Sequence, residues 1–376
     1  MKILLVNSHK FGGVEHYRAL APLSLMSTEG YEATSINYLH PTEDSTSGEI
    51  VINDEWIKQF DLVHFIRQIG FNGHTQGIAD RLNKLGVPFG LDLDDYWHLP
   101  DNHLIAEEYN RGKTTETIIE SIKVSHFVTC TTSILAKEIE QYNKNVYILE
   151  NGINPLDPVW QPEHTPSEVI RFGLMLGSTH YHDLKKIAPS LINMLRSPNK
   201  CQIALAGFNA ELNKPSMYVA FERTITDNHN VLDRRYSQYL KTCNKEQNYL
   251  WVAQKYVRLW GVPVEEWGYQ YRNIDISVAP LIDNKFNNCK SELKMIEAGF
   301  KGKGVIVSNV YPFKLLATEQ NAYICNSSAE FYDKMKRAIN NPNEVADKIA
   351  QLRQDVLERY DLRKINEKRK ELYNSL

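Results

Sequence analysis

The sequence lacks the marks of several protein classes. It contains 5 cysteines in 376 residues and no C-x-x-C pair, so neither a zinc cluster nor a disulfide framework is indicated. No apolar run approaches the length of a membrane-spanning helix, and the short run after Met1 is typical of a first strand rather than a signal peptide. These absences favour a cytoplasmic protein with reduced thiols.

Motifs of several enzyme classes are missing as well. The sequence has no H-E-x-x-H element, no G-x-S-x-G nucleophile elbow and no G-x-G-x-x-G dinucleotide fingerprint. Its formal net charge of -3 gives no general attraction to nucleic acid or to an anionic membrane. What is present is an ordinary globular composition, 42% hydrophobic and 24% charged, in a chain long enough for two domains.

Short apolar runs alternate with helical stretches in the first half of the chain. The run at 2–6 leads through a loop with Gly12 and Gly13 into a helical stretch from Val14 to about Ser27. This alternation predicts a doubly wound α/β fold, in which ligands bind at the carboxyl ends of parallel strands. Further strands are predicted at 32–38, 61–66, 87–94, 126–131 and 145–149.

The same pattern restarts after a proline-rich connector. Pro155, Pro158, Pro162 and Pro166 lie within this connector and mark a domain boundary. Strands are predicted beyond it at 170–176, 202–206, 275–281 and 322–325. We therefore predict an N-terminal domain at 1–160, a second domain at 161–355 with a helical insertion at about 209–256, and a terminal helix at 356–376.

The stretch 286–313 carries the most specific signal. A polar loop with Lys290 and Ser291 precedes a predicted helix at 292–300, and a glycine turn and an apolar strand follow. A helix N-terminus offers free N–H groups and a positive dipole end, which suit a phosphate. Ser291 is predicted to cap this helix, and Lys290 adds a positive charge beside it.

This stretch resembles the donor segment of GT-B glycosyltransferases of the family-4 type, whose pattern is F-N-x-x-K-S-x-x-K-x-x-E-A. The pair Asn151-Gly152 and the element His180-x-x-Asp183 are similar to two further segments of that family. The resemblance implies two Rossmann-like domains with a deep interdomain cleft, and a C-terminal helix that crosses back to the first domain. It also implies a retaining, metal-independent enzyme that takes a UDP- or GDP-linked sugar as co-substrate and needs no cofactor.

The resemblance assigns the donor-binding residues too. Glu297 matches the glutamate that holds the nucleotide ribose, and a buried glutamate on an apolar helix face is otherwise hard to explain structurally. Cys289 stands where the family's first glutamate is expected. The complete set of expected donor contacts is Gly12, Gly13, Gly177, Ser178, Thr179, Asp183, Lys290, Ser291 and Glu297.

An acidic cluster of Asp92, Asp94 and Asp95 ends the predicted strand 87–94. Three carboxylates this close repel one another unless a cation or hydrogen bonds compensate. A carboxylate here is able to accept a proton from an acceptor hydroxyl, or to orient that hydroxyl. The candidate catalytic residues are Asp94, Asp95 and His180, and the candidate acceptor contacts are Arg18, Arg67 and His98.

Alternative interpretations remain open at this point. Asp92 and Asp94 form a D-x-D, the metal-binding mark of the GT-A fold, but the two-halved pattern favours GT-B and no metal is expected. The acceptor implied by the resemblance is a glycan or envelope polysaccharide. One alternative is a phage-type glycosyltransferase that acts on a hydroxymethyl pyrimidine in DNA, with candidate basic patches at 363–370 and 234–236. Another is a catalytically inactive nucleotide-sugar-binding protein.

Overall fold

The computed structural model describes residues 1–7, 12–39, 41–43, 50–71, 73–208, 221–222, 224–225 and 255–376. The described chain divides into two compact units. The first unit contains Met1–Gly152, Lys285–Ser291 and Tyr360–Leu376, and the second contains Ile153–Asn284 and Glu292–Arg359. Each unit is built on its own parallel sheet.

The first unit is centred on a six-stranded parallel sheet. Its core strands are apolar on both faces, as expected where helices cover a parallel sheet on both sides. On β1, for example, Ile3, Leu4 and Leu5 are fully buried. The strand order is β2-β1-β5-β6-β7-β8, with β1 Lys2–Asn7, β2 Glu32–Asn37, β5 Leu62–Ile66, β6 Phe89–Leu93, β7 Phe127–Cys130 and β8 Val146–Ile148. A separate antiparallel pair is formed by β3 Thr42–Glu43 and β4 Ile50–Val51.

The helices of the first unit follow the strands in βα order. The stretch after β1 is helical from Gly13 to Glu29, with a π-helical turn at His16–Leu20, and it ends at Gly30, whose φ of 87° favours glycine. The regular helices are α1 Gly13–Glu15, α2 Ala21–Met26, α3 Asp54–Ile57, α4 Thr75–Leu85, α5 Ala106–Arg111, α6 Thr114–Val124, α7 Ser133–Ile139, α9 Lys285–Asn288 and α13 Leu362–Asn374.

The last helix, α13, is fixed to the first unit by apolar and polar contacts. Leu372 and Tyr373 belong to the same core cluster as residues of β1 and α2. The Tyr373 hydroxyl lies 2.8 Å from Nδ1 of the buried His64 on β5. Asn366 donates a 2.9 Å hydrogen bond to the backbone carbonyl of Pro22. The C-terminal helix therefore belongs to the same compact unit as the N-terminal strand.

His64 makes the stability of this unit dependent on pH. Its pKa is lowered to about 4 because burial disfavours the charged ring, and Arg369 and Arg18 act in the same direction against Asp92. In the unfolded chain the pKa is near 6.5. The stabilising contribution is thus complete above about pH 6.5 and is lost as the pH falls towards 4.

We expect the free energy of unfolding to fall by about 1–3 kcal/mol between pH 7 and pH 4.5 through His64 alone. Urea denaturation followed by tryptophan fluorescence measures this fall. A His64→Gln variant should lose that part of the pH dependence, whereas the exposed-site control His98→Gln should keep it. An unchanged pH dependence in His64→Gln contradicts the assignment.

The second unit repeats the architecture of the first. Its sheet is also parallel and six-stranded, in the order β11-β10-β9-β12-β13-β14. The fully buried β-branched run at Val305–Val307 lies on one of its strands, Gly304–Ser308. The strands are β9 Ile170–Leu174, β10 Cys201–Phe208, β11 Tyr256–Trp260, β12 Ile276–Ala279, β13 Gly304–Ser308 and β14 Tyr323–Cys325.

The helices of the second unit pack closely on this sheet. A Cβ atom added at Gly299 would come within 2.8 Å of the Val356 side chain, so glycine lets two helices approach one another. The helices are α8 Tyr181–Arg196, α10 Leu293–Phe300, α11 Glu330–Asn340 and α12 Pro342–Arg359, and 3₁₀ turns lie at Ser178–His180 and Val264–Asn273.

Two parallel α/β units confirm the predicted fold class. The observed division departs from the predicted boundaries at Lys285–Ser291, which groups with the first unit because Phe286 and Cys289 lie in its core. The predicted insertion at 209–256 lies almost wholly outside the described residues. Within the described part of the chain, no helix has the length and apolarity needed to cross a membrane.

Candidate active site

Polar side chains of the first unit gather where β5, β6 and β7 end. Residues Ile66 and Asp92 are partners in the sheet register, as are Asp92 and Thr129. The residues that follow these strands therefore share one sheet edge. Arg67 comes directly after β5, and Asp94 and Asp95 come directly after β6.

Asp92 forms a buried ion pair with Arg18. Arg18 Nε lies 2.9 Å from Asp92 Oδ1, and Arg18 Nη2 lies 2.8 Å from Asp92 Oδ2. Thr129 donates a further hydrogen bond of 2.6 Å to Oδ2. Although burial acts in the opposite direction, Arg18 lowers the pKa of Asp92. The D-x-D therefore does not offer two unpaired carboxylates to a cation.

Arg18, which was predicted to contact the acceptor, lies in a buried network of hydrogen bonds. Its side chain is only 1% exposed. Beyond Asp92, Arg18 Nη1 donates to the backbone carbonyl of Leu149 at 2.6 Å and to Asn151 Oδ1 at 3.2 Å. Arg18 lies in the π-helical turn His16–Leu20 and links this turn to β6 and to the chain after β8. An acceptor contact would require this buried network to open.

Asp94 has a strongly shifted pKa. Its pKa is raised to about 7, first by burial and then by the neighbouring Asp95 carboxylate, while Arg67 opposes the shift. Asp92 also raises this pKa, and Lys290 lowers it. A carboxyl group with such a pKa changes charge near neutral pH, which suits a group that orients or deprotonates a hydroxyl.

Asp95 is paired with Lys290. The Lys290 ammonium lies 3.0 Å from both Asp95 oxygens and 4.4 Å from the centre of the Phe286 ring. The side chain of Lys290 is 15% exposed and that of Asp95 is 25% exposed. Lys290 was predicted as a phosphate contact, and the structure shows that any phosphate must compete with Asp95 for it.

Ser291 does not cap the following helix. That helix, α10, begins at Leu293 and has Glu292 at its N-cap, so the predicted cap is wrong. Instead, the Ser291 hydroxyl accepts a 2.8 Å hydrogen bond from Asn151 Nδ2. Asn151 thus joins Ser291 to Arg18 within the first unit, a bridging role that the sequence pattern did not reveal.

Arg67 has an unusual backbone conformation for a residue with a side chain. Its φ is 72°, in the left-handed region that favours glycine. Its backbone N–H donates a 2.9 Å hydrogen bond to the Asp92 carbonyl. Its guanidinium donates to the hydroxyl of Tyr109, with a distance of 3.1 Å from Nε. Tyr109 was not singled out from the sequence.

His180 and Asp183 form a pair in the second unit. His180 Nδ1 lies 2.8 Å from Asp183 Oδ2, and Asp183 Oδ1 accepts a 2.8 Å hydrogen bond from the backbone N–H of Ile282. Asp183 thereby orients the imidazole and fixes the loop after β12. The backbone at Gly177 and Thr179 is exposed beside them, at the carboxyl end of β9.

Glu297 lies on α10 of the second unit and is 1% exposed. Its Oε2 accepts hydrogen bonds from the Tyr271 hydroxyl at 2.7 Å and from Lys294 Nζ at 2.9 Å. Burial, followed by the adjacent Glu297 charge, raises the pKa of Tyr271 well above its ordinary value. The buried glutamate therefore has a structural explanation, and its predicted ribose contact remains a prediction.

Cys289 also has a clear structural environment. It is fully buried in the apolar core of the first unit, together with Phe286. Burial raises the pKa of its thiol to about 12. A glutamate side chain at this place would have to bury its charge in that core.

The remaining predicted residues have few described contacts. The Gly12 N–H donates a 3.0 Å hydrogen bond to the Glu15 carboxylate, and nothing lies within 4 Å of a Cβ atom added at Gly13. His98 is exposed, with its ring 5.2 Å from that of Tyr96. The Ser178 side chain and the basic patch at 234–236 lie outside the described parts of the chain.

A small polar pocket lies at the carboxyl ends of β12, β13 and β14 in the second unit. Its volume of about 130 Å³ is below the roughly 300–1,000 Å³ typical of a site that encloses a complete ligand. By itself it is smaller than a site that encloses a complete nucleotide. Its lining includes Lys186, Asp283, Ser308, Asn309, Asn326 and Phe331.

No family model matches the sequence, and no curated protein matches it. Solved structures do match, over the whole chain. HepE from Anabaena, in complex with UDP and glucose, has a TM-score of 0.68 at 14% identity, with 100% of both chains covered. Sucrose-phosphate synthase from Thermosynechococcus elongatus has a TM-score of 0.65 at 12% identity, with 100% of this chain and 98% of that chain covered.

A glycosyltransferase from Rickettsia africae ESF-5 also matches, with a TM-score of 0.61 at 15% identity and coverage of 100% of this chain and 98% of that chain. The chain has the GT-B fold. This finding confirms the fold that the motif at 286–313 implied. At these identities the likeness establishes the GT-B fold, and the chemistry must be argued from the residues of this chain.

Proposed function

We propose that this GT-B protein is a glycosyltransferase that moves a sugar from a nucleotide-diphosphate donor to an acceptor hydroxyl. The proposal rests chiefly on the full-length likeness to solved glycosyltransferases, one of them bound to UDP and glucose. The acidic pair Asp94 and Asp95, at the carboxyl edge of the first sheet, supplies groups suited to an acceptor hydroxyl.

The donor is proposed to be a UDP-linked sugar, with GDP as the second base to test. The complexes of HepE with UDP and with UDP-glucose support this order. In this proposal Glu297 holds the ribose, and backbone N–H groups at Gly177–Thr179 of the same unit neutralise the diphosphate, with Asp183 beside them. Gly12, Gly13, Lys290 and Ser291 of the first unit stay predicted donor contacts.

The reaction is proposed to proceed with retention and without a metal ion. The bond from the anomeric carbon to the diphosphate oxygen breaks, a bond to the acceptor oxygen forms, and the acceptor proton passes to the leaving phosphate. Asp94 orients the acceptor hydroxyl by accepting its hydrogen bond. NMR of the product's anomeric proton tests this step, and an inverted product would instead make Asp94 the general base.

A glycan hydroxyl is the proposed acceptor, because the basic run at 363–370 is poorly suited to DNA. Arg363 pairs with Asp361 at 2.6 Å, and Lys368 pairs with Glu150 at 3.1 Å. Lys370 contacts Glu29 and Glu367, and Arg369 is buried. These nearby carboxylates lower the positive potential that the run offers to a phosphate backbone.

A thermal-shift screen against nucleotide sugars, followed by measurement of nucleotide release, tests the proposed function. At a donor concentration of 100 times Kd, binding adds about 2.7 kcal/mol, which corresponds to roughly 5–10 °C in Tm for a domain of this size. Release of UDP or GDP at a steady rate supports a transferase. Stabilisation without any release identifies an inactive binding protein, and no stabilisation by any nucleotide sugar contradicts the proposal.

Glu297→Ala is expected to abolish the nucleotide-induced shift in Tm, because the ribose hydroxyls lose their acceptor. The matched control is Tyr271→Phe, which removes the neighbouring hydroxyl but keeps the Glu297 carboxylate. Each shift is measured against the nucleotide-free form of the same variant. A change in the stability of the variant itself therefore does not contribute to the measured shift in Tm. A full shift in Glu297→Ala rules out the ribose contact.

A further inference from the structure

Tyr109 packs its ring in the apolar core and uses its hydroxyl to bind Arg67. It lies on α5 and is buried, in the same core cluster as the interior of the first sheet. Its hydroxyl accepts hydrogen bonds from both Nε and Nη2 of Arg67, and the Arg67 Cζ lies 5.5 Å from the ring centre. The guanidinium is therefore held both at the hydroxyl and along the ring.

The backbone of Arg67 restrains the same side chain from the other end. A φ of 72° costs a residue other than glycine on the order of 1 kcal/mol or more, and the hydrogen bond from the Arg67 N–H to Asp92 stabilises it there. Strain of this kind persists where surrounding contacts over-determine a conformation. The orientation of the Arg67 side chain is thus fixed by two contacts, the backbone hydrogen bond to Asp92 and the side-chain hydrogen bond to Tyr109.

Several charged groups surround Asp94. Arg67 and Asp94 follow the ends of the neighbouring strands β5 and β6, where Ile66 and Asp92 are register partners. Asp92 and Asp95 lie on the same segment as Asp94, and together with Arg67 and Lys290 they act on its charge. Arg18 is close enough for Asp94 to raise its pKa. Lys290 is held by the Asp95 carboxylate through two 3.0 Å contacts. Arg67, in contrast, is held by an uncharged side chain, that of Tyr109.

We propose that Tyr109 is a positioning residue, which acts through Arg67 to set the charge that Asp94 and Asp95 present to the acceptor hydroxyl. The role in transfer rests on the proposed function, whereas the electrostatic coupling does not. Without the hydroxyl, the guanidinium loses the acceptor that holds it, and we expect it to move away from Asp94. The Asp94 carboxylate then loses an opposing charge and holds its proton to a higher pH.

The test is the titration of Asp94 in Tyr109→Phe, followed by the carboxyl carbon NMR signal of labelled aspartate, with Asp94→Asn to assign the signal. The expected result is a midpoint higher by about one pH unit, a tenfold change in proton affinity. The exposed-site control Tyr147→Phe should leave the midpoint unchanged. Arg67→Met should give a similar rise, and Tyr109→Phe combined with Arg67→Met should add little beyond it.

An unchanged or lowered midpoint in Tyr109→Phe overturns the proposal, as does a double variant whose shift equals the sum of the single ones. The pH profile of kcat/KM then tests whether this coupling affects transfer. The rising part of the profile should shift to higher pH by the same amount as the NMR midpoint. If the NMR midpoint moves and no donor is turned over, the positioning inference stands and the proposed function fails. If transfer occurs with an unmoved midpoint, the reverse holds.

Discussion

Asp94→Asn is expected to lower kcat/KM for transfer about a hundredfold or more, with little change in nucleotide binding. An amide has the shape of the carboxylate but accepts a hydrogen bond more weakly and cannot take a proton. Loss of orientation costs on the order of 10², and loss of a general base costs about 10²–10⁴. The measurement is the initial rate of nucleotide release with a saturating donor, accompanied by the nucleotide-induced shift in Tm.

The pH dependence gives the same prediction a second readout. Because the pKa of Asp94 is raised to about 7, its carboxylate is ionised only above that pH, and kcat/KM should rise with pH up to about pH 8. For stability the sign is reversed. The unfolded chain releases this proton near pH 4 and the folded chain near pH 7, so the folded state loses stability as the pH rises between them.

Asp94→Asn should therefore remove the rising limb of the activity profile and also stabilise the protein at pH 8, by a few degrees in Tm. The matched control is Asp101→Asn, a carboxylate in an exposed loop of the same unit. A variant with parental activity at every pH shows that Asp94 takes no part in transfer. A variant that loses nucleotide binding as well shows that Asp94 acts on the donor side.

The fold was predictable because its signals are local. Apolar runs such as the one on β1, and the turn residues between them, report strands within a few residues of sequence. The stretch at 286–313 was predictable for the same reason, since its loop, helix and strand follow one another directly. The carboxyl ends of strands then placed Arg67, Asp94 and Asp95 at one edge.

The partners of these residues were not predictable, because they are distant in sequence. Arg18 and Asp92 are separated by 74 residues, and Lys290 and Asp95 by 195. Charge pairing across such distances leaves no periodic trace in a single sequence. Tyr109 was overlooked because a tyrosine on a short helix looks like an ordinary core residue until its hydroxyl is seen to hold Arg67.

The second large effect is expected for Arg18→Met, which should destabilise the first unit by about 3–5 kcal/mol. The methionine fills much of the space but leaves the Asp92 carboxylate, which is 0% exposed, without its cation. The carbonyl of Leu149 and the side chain of Asn151 lose a donor at the same time. At roughly 2–4 °C per kcal/mol, Tm should fall by about 6–20 °C.

A double variant separates a structural arginine from one that binds the acceptor. In Arg18→Met combined with Asp92→Leu, the unpaired charge is gone, so most of the lost stability should return, as replacement of a buried ion pair by apolar groups is often neutral. If Arg18 instead contacted the acceptor, Arg18→Met would raise KM while leaving Tm near the parent value, and the double variant would restore nothing. The burial of both charges favours the first outcome, because a side chain that is 1% exposed must break its pair with Asp92 before it reaches any substrate.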